Sequence, residues 1–217
     1  MPSAVILLAD GTEEMEFTIT YDTLVRAGVA CCSAYVPAPA DEGSEKRQYA
    51  TGSRGIRIMY DAVFDETQFL PTSYDALVIP GGAKGAETMS KNTAVQSLVR
   101  EFLAKDKIVG MICAGSQAAL TAKLARQPLT SHPSVKAELE NDFDYSEDPV
   151  VISNGLVTSR GPGYFHFLLI QMRIMLTTGR IAGTAFPFAL TLVELLCGAD
   201  KRAEVRAPMV FPPNTPF

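Results

Sequence analysis

Cys113 stands in Gly110-Met111-Ile112-Cys113-Ala114-Gly115-Ser116, where an apolar run passes into a helical segment with almost no spacer. A side chain at such a junction is held on a sharp bend above a sheet, as in a nucleophile elbow. A helix N-terminus beneath it would lower a thiol's pKa and favour thiolate, the nucleophilic form. Backbone N–H groups at Ala114, and at Gly82 in the Pro80–Gly85 turn, could form an oxyanion hole for addition to a carbonyl. The competing reading is packing, since cysteine is among the most buried residue types. Packing is the better reading for Cys31, Cys32 and Cys197, which lie within apolar runs.

Nearby chemistry would come from acids and an imidazole. Glu13, Glu14 and Glu16 open a helical segment. Acids in a first turn compensate the helix dipole without any catalysis. The sharper reading is that one of them points at Cys113, stays protonated by burial and donates a hydrogen bond to sulfur. The pattern does not say which one. The chain has two histidines, His132 and His166. His132 lies in Thr130-Ser131-His132-Pro133-Ser134, where Ser131 or Ser134 could cap the helix containing Val135–Leu139. If the chemistry needs an imidazole, His132 is the candidate.

These residues need a scaffold, and the chain alternates short apolar strands with amphipathic helices. Ala4–Ala9, Ala76–Ile79 and Ile108–Ile112 read as strands covered on both faces, and Val29–Val36 as a strand rich in small residues. Phe17–Arg26, Thr93–Lys105, Gln117–Leu124 and Phe188–Leu196 read as helices. Val150–Ile152 and Leu156–Ser159 flank Asn154-Gly155, a strong hairpin signal. Pro37 to Arg54 is a polar excursion before strand-like Ile56–Tyr60. Alternation of this kind predicts a parallel sheet between helical layers. Ligands then sit beyond the carboxyl ends of the strands, on the loops Asp10–Glu16, Pro80–Gly85 and Cys113–Ser116.

Composition narrows the function classes. In 217 residues there are 19 basic and 24 acidic side chains, so the net charge is −5 and no basic excess exists for nucleic acid. No CxxC or HxxxH spacing suggests a metal site, and none is expected. Four cysteines in so long a chain make no disulfide framework, which points to a reducing cytosol. The apolar start meets Asp10 at once and has no basic flank, so it does not read as a signal peptide. Tyr164 to Leu176 carries His166, Gln171 and Arg173 and is too short to cross a membrane.

Four ordered motifs now become recognisable: Leu8-Ala9-Asp10-Gly11-Thr12-Glu13-Glu14-Met15-Glu16, Val78-Ile79-Pro80-Gly81-Gly82-Ala83-Lys84-Gly85-Ala86, Ile112-Cys113-Ala114-Gly115 and Thr158-Ser159-Arg160-Gly161-Pro162-Gly163. They closely resemble the ThiJ/PfpI superfamily, and within it the DJ-one branch, nearly end to end. The resemblance implies a flavodoxin-like three-layer sandwich with a mostly parallel sheet, like the class I glutamine amidotransferases, spanning 1–217 as a single domain. It implies Cys113 as nucleophile, Glu16 as the acid bonded to it, His132 as the assisting histidine, and Gly82 and Ala114 as oxyanion-hole amides. Arg54, Ser159, Arg160 and Pro162 match residues of the pocket or the dimer interface. Protease-like members carry histidine directly after the cysteine, and amidotransferases add a downstream histidine–glutamate pair. Ala114 follows Cys113 here and no such pair is visible, so both activities read poorly. Phe17 stands where a smaller or polar residue is expected.

The resemblance breaks at Tyr164–Gly183, which has no counterpart in the family. Its face of Phe165, Leu168, Leu169, Met172, Met175 and Leu176 suits a helix that must be buried. Removing it restores a Gly-Pro-Gly-Thr junction, which reads as an unspliced in-frame intron; if genuine, it would obstruct dimerisation. The expected function is a cofactor-independent, glutathione-independent glyoxalase of the D-lactate dehydratase class, acting on methylglyoxal-like oxoaldehydes. A deglycase acting on glycated protein is implied as well. The alternative is a redox sensor or chaperone in which Cys113 is oxidised without turnover. A cytoplasmic, partly nuclear homodimer with no nucleic-acid or membrane partner completes the expectation.

Overall fold

The computed structural model describes residues 1–39, 47–162, 183–212 and 215. Its strands are β1 (Ser3–Leu8), β2 (Ala30–Tyr35), β3 (Tyr49–Thr51), β4 (Arg57–Met59), β5 (Ala62–Val63), β6 (Ala76–Ile79), β7 (Ile108–Ile112), β8 (Pro128–Leu129), β9 (Asp144–Tyr145), β10 (Val150–Ser153) and β11 (Leu156–Ser159). The helices are α1 (Glu14–Arg26), α2 (Ala83–Lys91), α3 (Thr93–Ala104), α4 (Gln117–Thr121), α5 (Lys136–Leu139), α6 (Ala185–Cys197) and α7 (Ala199–Arg206).

Seven strands form one sheet in the order β10-β11-β7-β6-β1-β2-β5. Every pairing is parallel except the β10–β11 hairpin at one edge. Residues 4–9 are completely buried, as a strand covered on both faces requires. α1 and α6 pack together on one face, while α2, α3 and α4 cover the other. The result is the mostly parallel sheet between helical layers expected from the alternating pattern, and the flavodoxin-like three-layer sandwich that the resemblance implies. Asn154 and Gly155 both take positive φ, 47° and 80°, as a tight hairpin turn demands.

Some elements were not foreseen. α2 begins inside the segment read as a loop and contains Gly85, which weakens its helical signal. α7 is mostly charged and buries only Val205, so it lacks an apolar stripe. The polar excursion before residue 54 contains β3, which pairs antiparallel with β4; residues 40–46 within it lie outside the described residues. So does the insertion expected at 164–183, apart from Gly183, together with His166. Phe17 is buried and stacks on Tyr21 with ring centroids 5.8 Å apart. No described helix is long and apolar enough to cross a membrane.

Candidate active site

β7 ends at Ile112, and Cys113 begins a tight 3-10 turn, Cys113–Ser116, that leads into α4. Cys113 has φ +62°, a left-handed conformation that costs a side-chain-bearing residue about 1–3 kcal/mol. This is the strained elbow expected of a nucleophile, and it leaves the side chain 8% exposed. The neighbouring strand β6 ends in Pro80-Gly81-Gly82. A Cβ on Gly81 would stand 2.6 Å from Cβ of Cys113 and 2.7 Å from Oε2 of Glu16. Only glycine lets these three chains converge.

The three glutamates of the first turn have three different tasks. Glu13 is the N-cap of α1, its carboxylate accepting from the Glu16 N–H at 2.8 Å. Glu14 accepts from the Arg54 N–H at 2.6 Å and from Ser53 Oγ at 2.8 Å, tying α1 to the β3–β4 hairpin. Glu16 alone faces the elbow. It is fully buried, Oε2 accepts from the Gly81 N–H at 2.7 Å, and the carboxyl hydrogen-bonds the Cys113 thiol. Its Oε1 has no nitrogen or oxygen partner among the described residues.

Burial pushes the Glu16 carboxyl up to about 8, against the hydrogen bonds from Cys113 and Gly81 that pull it down. Burial, and then the charge and hydrogen bond of Glu16, push the Cys113 thiol above its ordinary value. The N–H groups of Ala114 and Gly82 both bond the sulfur and oppose that rise. The expectation of a thiol acidified by a helix terminus is therefore corrected. α4 has only five residues and follows a 3-10 turn, so its dipole is small beside the cost of burial. The two groups titrate as a pair, and the neutral carboxyl is the form that burial favours.

His132 lies across the elbow, its backbone N–H donating to the Cys113 carbonyl at 3.3 Å. Neither serine caps the turn that follows. The imidazole does so, Nδ1 accepting from the Ser134 N–H at 3.2 Å. That bond leaves the ring proton on Nε2. Burial, and then the nearby Arg160 charge, hold His132 below its ordinary pKa, which favours the neutral ring. Arg160 is 2% exposed and pairs with Glu147 at 2.6 Å, and Glu147 also binds Lys136 at 2.7 Å.

The other expected residues are placed less centrally. Arg54 is exposed on the hairpin held by Glu14, with Nη1 donating to the Ser53 carbonyl at 3.3 Å. Ser159 is buried behind the pocket wall, with Oγ 2.8 Å from both the Pro149 carbonyl and Thr184 Oγ1. Pro162 is half-buried and follows Gly161, which faces Cys113. Sequence reasoning missed Glu147 and Thr184. Nothing local marks either one, because both act through contacts distant in sequence. Among the described residues no group of three metal-ligating side chains occurs.

A parallel α/β sheet with a strained cysteine at the carboxyl end of a central strand, a buried glutamate against it and two amides aimed at sulfur defines a flavodoxin-like protein built around one thiol. The chain belongs to the DJ-1/PfpI family, which residues 2–173 match. It is 34% identical over 206 residues to the glutathione-independent glyoxalase DJ-1 of Schizosaccharomyces pombe, covering 93% of this chain and 94% of that one. Its identity to the Parkinson disease protein 7 homolog of Danio rerio is 31%, covering 95% and 96% respectively. The solved structure of Schizosaccharomyces pombe DJ-1 superposes with a TM-score of 0.80 at 31% identity, covering 97% of this chain and all of that one.

Proposed function

We propose that this protein is a glutathione-independent glyoxalase that converts methylglyoxal-like oxoaldehydes to lactate. The observation that carries the reading is the buried Glu16 carboxyl hydrogen-bonded to Cys113, with the Gly82 and Ala114 amides on the sulfur. The fission-yeast relative carries that activity in its name.

The pair reacts with a single proton between them, held on Glu16, so that Cys113 attacks the aldehyde carbon from the minor thiolate form. A carbon–sulfur bond forms, the carbonyl electron pair moves to oxygen, and Glu16 supplies that oxygen with a proton. The Gly82 and Ala114 amides stabilise the charge as it develops. Glu16, now a carboxylate, takes the hydrogen of the same carbon as a proton and returns it to the neighbouring carbon. A second proton passes between the two oxygens, a transfer suited to neutral His132. The outcome is a lactoyl thioester, which water splits to lactate and free Cys113. Methylglyoxal plus water thus becomes lactic acid, with no external oxidant and no cofactor, as in the D-lactate dehydratase class.

The same addition would reverse early glycation on protein thiols and amines, making deglycation a second activity of the site. The redox-sensor reading is not favoured, because sensor thiols are solvent-accessible and Cys113 is buried. A cytoplasmic homodimer completes the proposal. Met15, Ile56 and Met59, 51%, 58% and 71% exposed, offer apolar surface beside Arg54 for a second copy. Sedimentation distinguishes dimer from monomer. For the activity, purified protein is mixed with methylglyoxal in the absence of glutathione and lactate is followed over time. Wild type should form lactate and Cys113→Ala should not; equal rates would end the proposal.

A further inference from the structure

The wall facing Cys113 comes from a residue without a side chain. A Cβ on Gly161 would lie 3.5 Å from Sγ of Cys113 and 3.4 Å from Cδ2 of His132. Reacting atoms in a near-attack arrangement stand roughly 3–3.5 Å apart, so the space in front of Gly161 suits an aldehyde carbon. Gly161 adopts φ +143°, which residues with side chains rarely do and glycine does freely, so its contacts decide where it sits.

Thr184 makes that contact from a distant point in the chain. Its backbone N–H donates to the Gly161 carbonyl at 2.8 Å. Its Oγ1 donates to the same carbonyl at 2.9 Å and accepts from the Gly161 N–H at 2.8 Å. Ser159 Oγ stands 2.8 Å from that oxygen, so the hydroxyl has the one donor and two acceptor contacts that it can support. The bland reading is that Thr184 caps α6, since threonine is favoured at a helix N-cap. Thr184 is the N-cap of α6, but its side chain makes no capping bond. The hydroxyl is committed to Gly161 instead, and it is 4% exposed.

We propose that Thr184 is a positioning residue: by clasping both polar groups of Gly161 it fixes the wall opposite Sγ and sets the width available to a small oxoaldehyde. This inference rests on the glyoxalase reading. Loss of the hydroxyl frees Gly161 to shift, and a misplacement near 1 Å can cost about a hundredfold in rate.

The test compares Thr184→Val, which keeps the shape and loses the hydroxyl, with Thr184→Ser, which keeps the hydroxyl. Rates with methylglyoxal and with bulkier phenylglyoxal are measured beside thermal melting and the rate at which iodoacetamide alkylates Cys113. Thr184→Val should lower kcat for methylglyoxal about 10- to 100-fold and narrow its advantage over phenylglyoxal. Thr184→Ser should stay within about threefold of wild type. A folded Thr184→Val protein with wild-type kcat and selectivity overturns the proposal, as does equal impairment of the two variants. Should Thr184→Val fail to fold, Thr184→Ala takes its place under the same criteria. Alkylation needs no turnover, so it separates the two ideas. If wild type forms no lactate, the glyoxalase reading fails, while faster alkylation in Thr184→Val alone still supports the clasp and an unchanged rate refutes it.

Discussion

Replacing Glu16 with glutamine probes the pair at the centre of the site, because it removes the transferable proton and nearly conserves shape. Burial pushes the Glu16 carboxyl up to about 8 and so favours its protonated form at neutral pH, the form that in the proposed mechanism hands a proton to a developing alkoxide. A general acid–base of this kind is worth roughly a hundred- to ten-thousandfold, so kcat for lactate formation should fall within that range. The thiol should respond in the opposite direction. The Glu16 charge and hydrogen bond both raise the Cys113 pKa, so in Glu16→Gln the pH midpoint for iodoacetamide alkylation should move down. Stability supplies a third reading. A carboxyl raised in the fold contributes stability that is fully present below the unfolded pKa, near 4.5, and lost as pH rises through about 8. At about 1.4 kcal/mol per pKa unit, that loss has a ceiling of roughly 5 kcal/mol. Wild type should therefore lose melting temperature relative to Glu16→Gln between those two pH values. A variant with wild-type turnover, an unmoved alkylation profile and a parallel pH–melting curve would mean that Glu16 neither transfers the proton nor couples to Cys113.

Gly161→Ala places a methyl group 3.5 Å from Sγ and forces alanine to φ +143°, so kcat/KM for methylglyoxal should fall at least about tenfold, with slower alkylation of Cys113; unchanged steady-state rates would show that substrate approaches from elsewhere. Deleting residues 164–183 would join Gly163 to Thr184, making Gly161-Pro162-Gly163-Thr184 a four-residue turn. Proline at its second position and glycine at its third suit a type II turn, and the closing bond from Thr184 N–H to Gly161 C=O already stands at 2.8 Å. The shortened protein should fold, melt cooperatively and keep lactate formation within about threefold; an insoluble or inactive product would show that the segment supports the core.

The scaffold was legible wherever burial leaves a local mark. The apolar runs at 4–9, 76–79 and 108–112 are strands because both of their faces are covered, and Asn154-Gly155 turns where few other residues would. The elbow was legible because Ile112 passes into Cys113 with no room for a loop. The division of labour among Glu13, Glu14 and Glu16 was not, because it depends on which neighbour each meets: the helix start, the β3–β4 hairpin or β6. Resemblance supplied Glu16, and the geometry gives a physical reason for that choice. The acidity of Cys113 was misread because a helix terminus is visible in sequence and a dry pocket is not. Thr184 escaped notice because the segment preceding it separates it from the Gly161 wall that it holds.

In the proposed reaction, oxoaldehyde chemistry runs through a covalent bond to Cys113. Rapid-quench mass spectrometry of the Cys113 peptide during turnover of methylglyoxal detects that bond. An adduct on Cys113 should rise before lactate appears, persist longer in Glu16→Gln and be absent from the peptides of Cys31, Cys32 and Cys197. Lactate accumulating at the wild-type rate while Cys113 remains unmodified throughout would contradict that reaction.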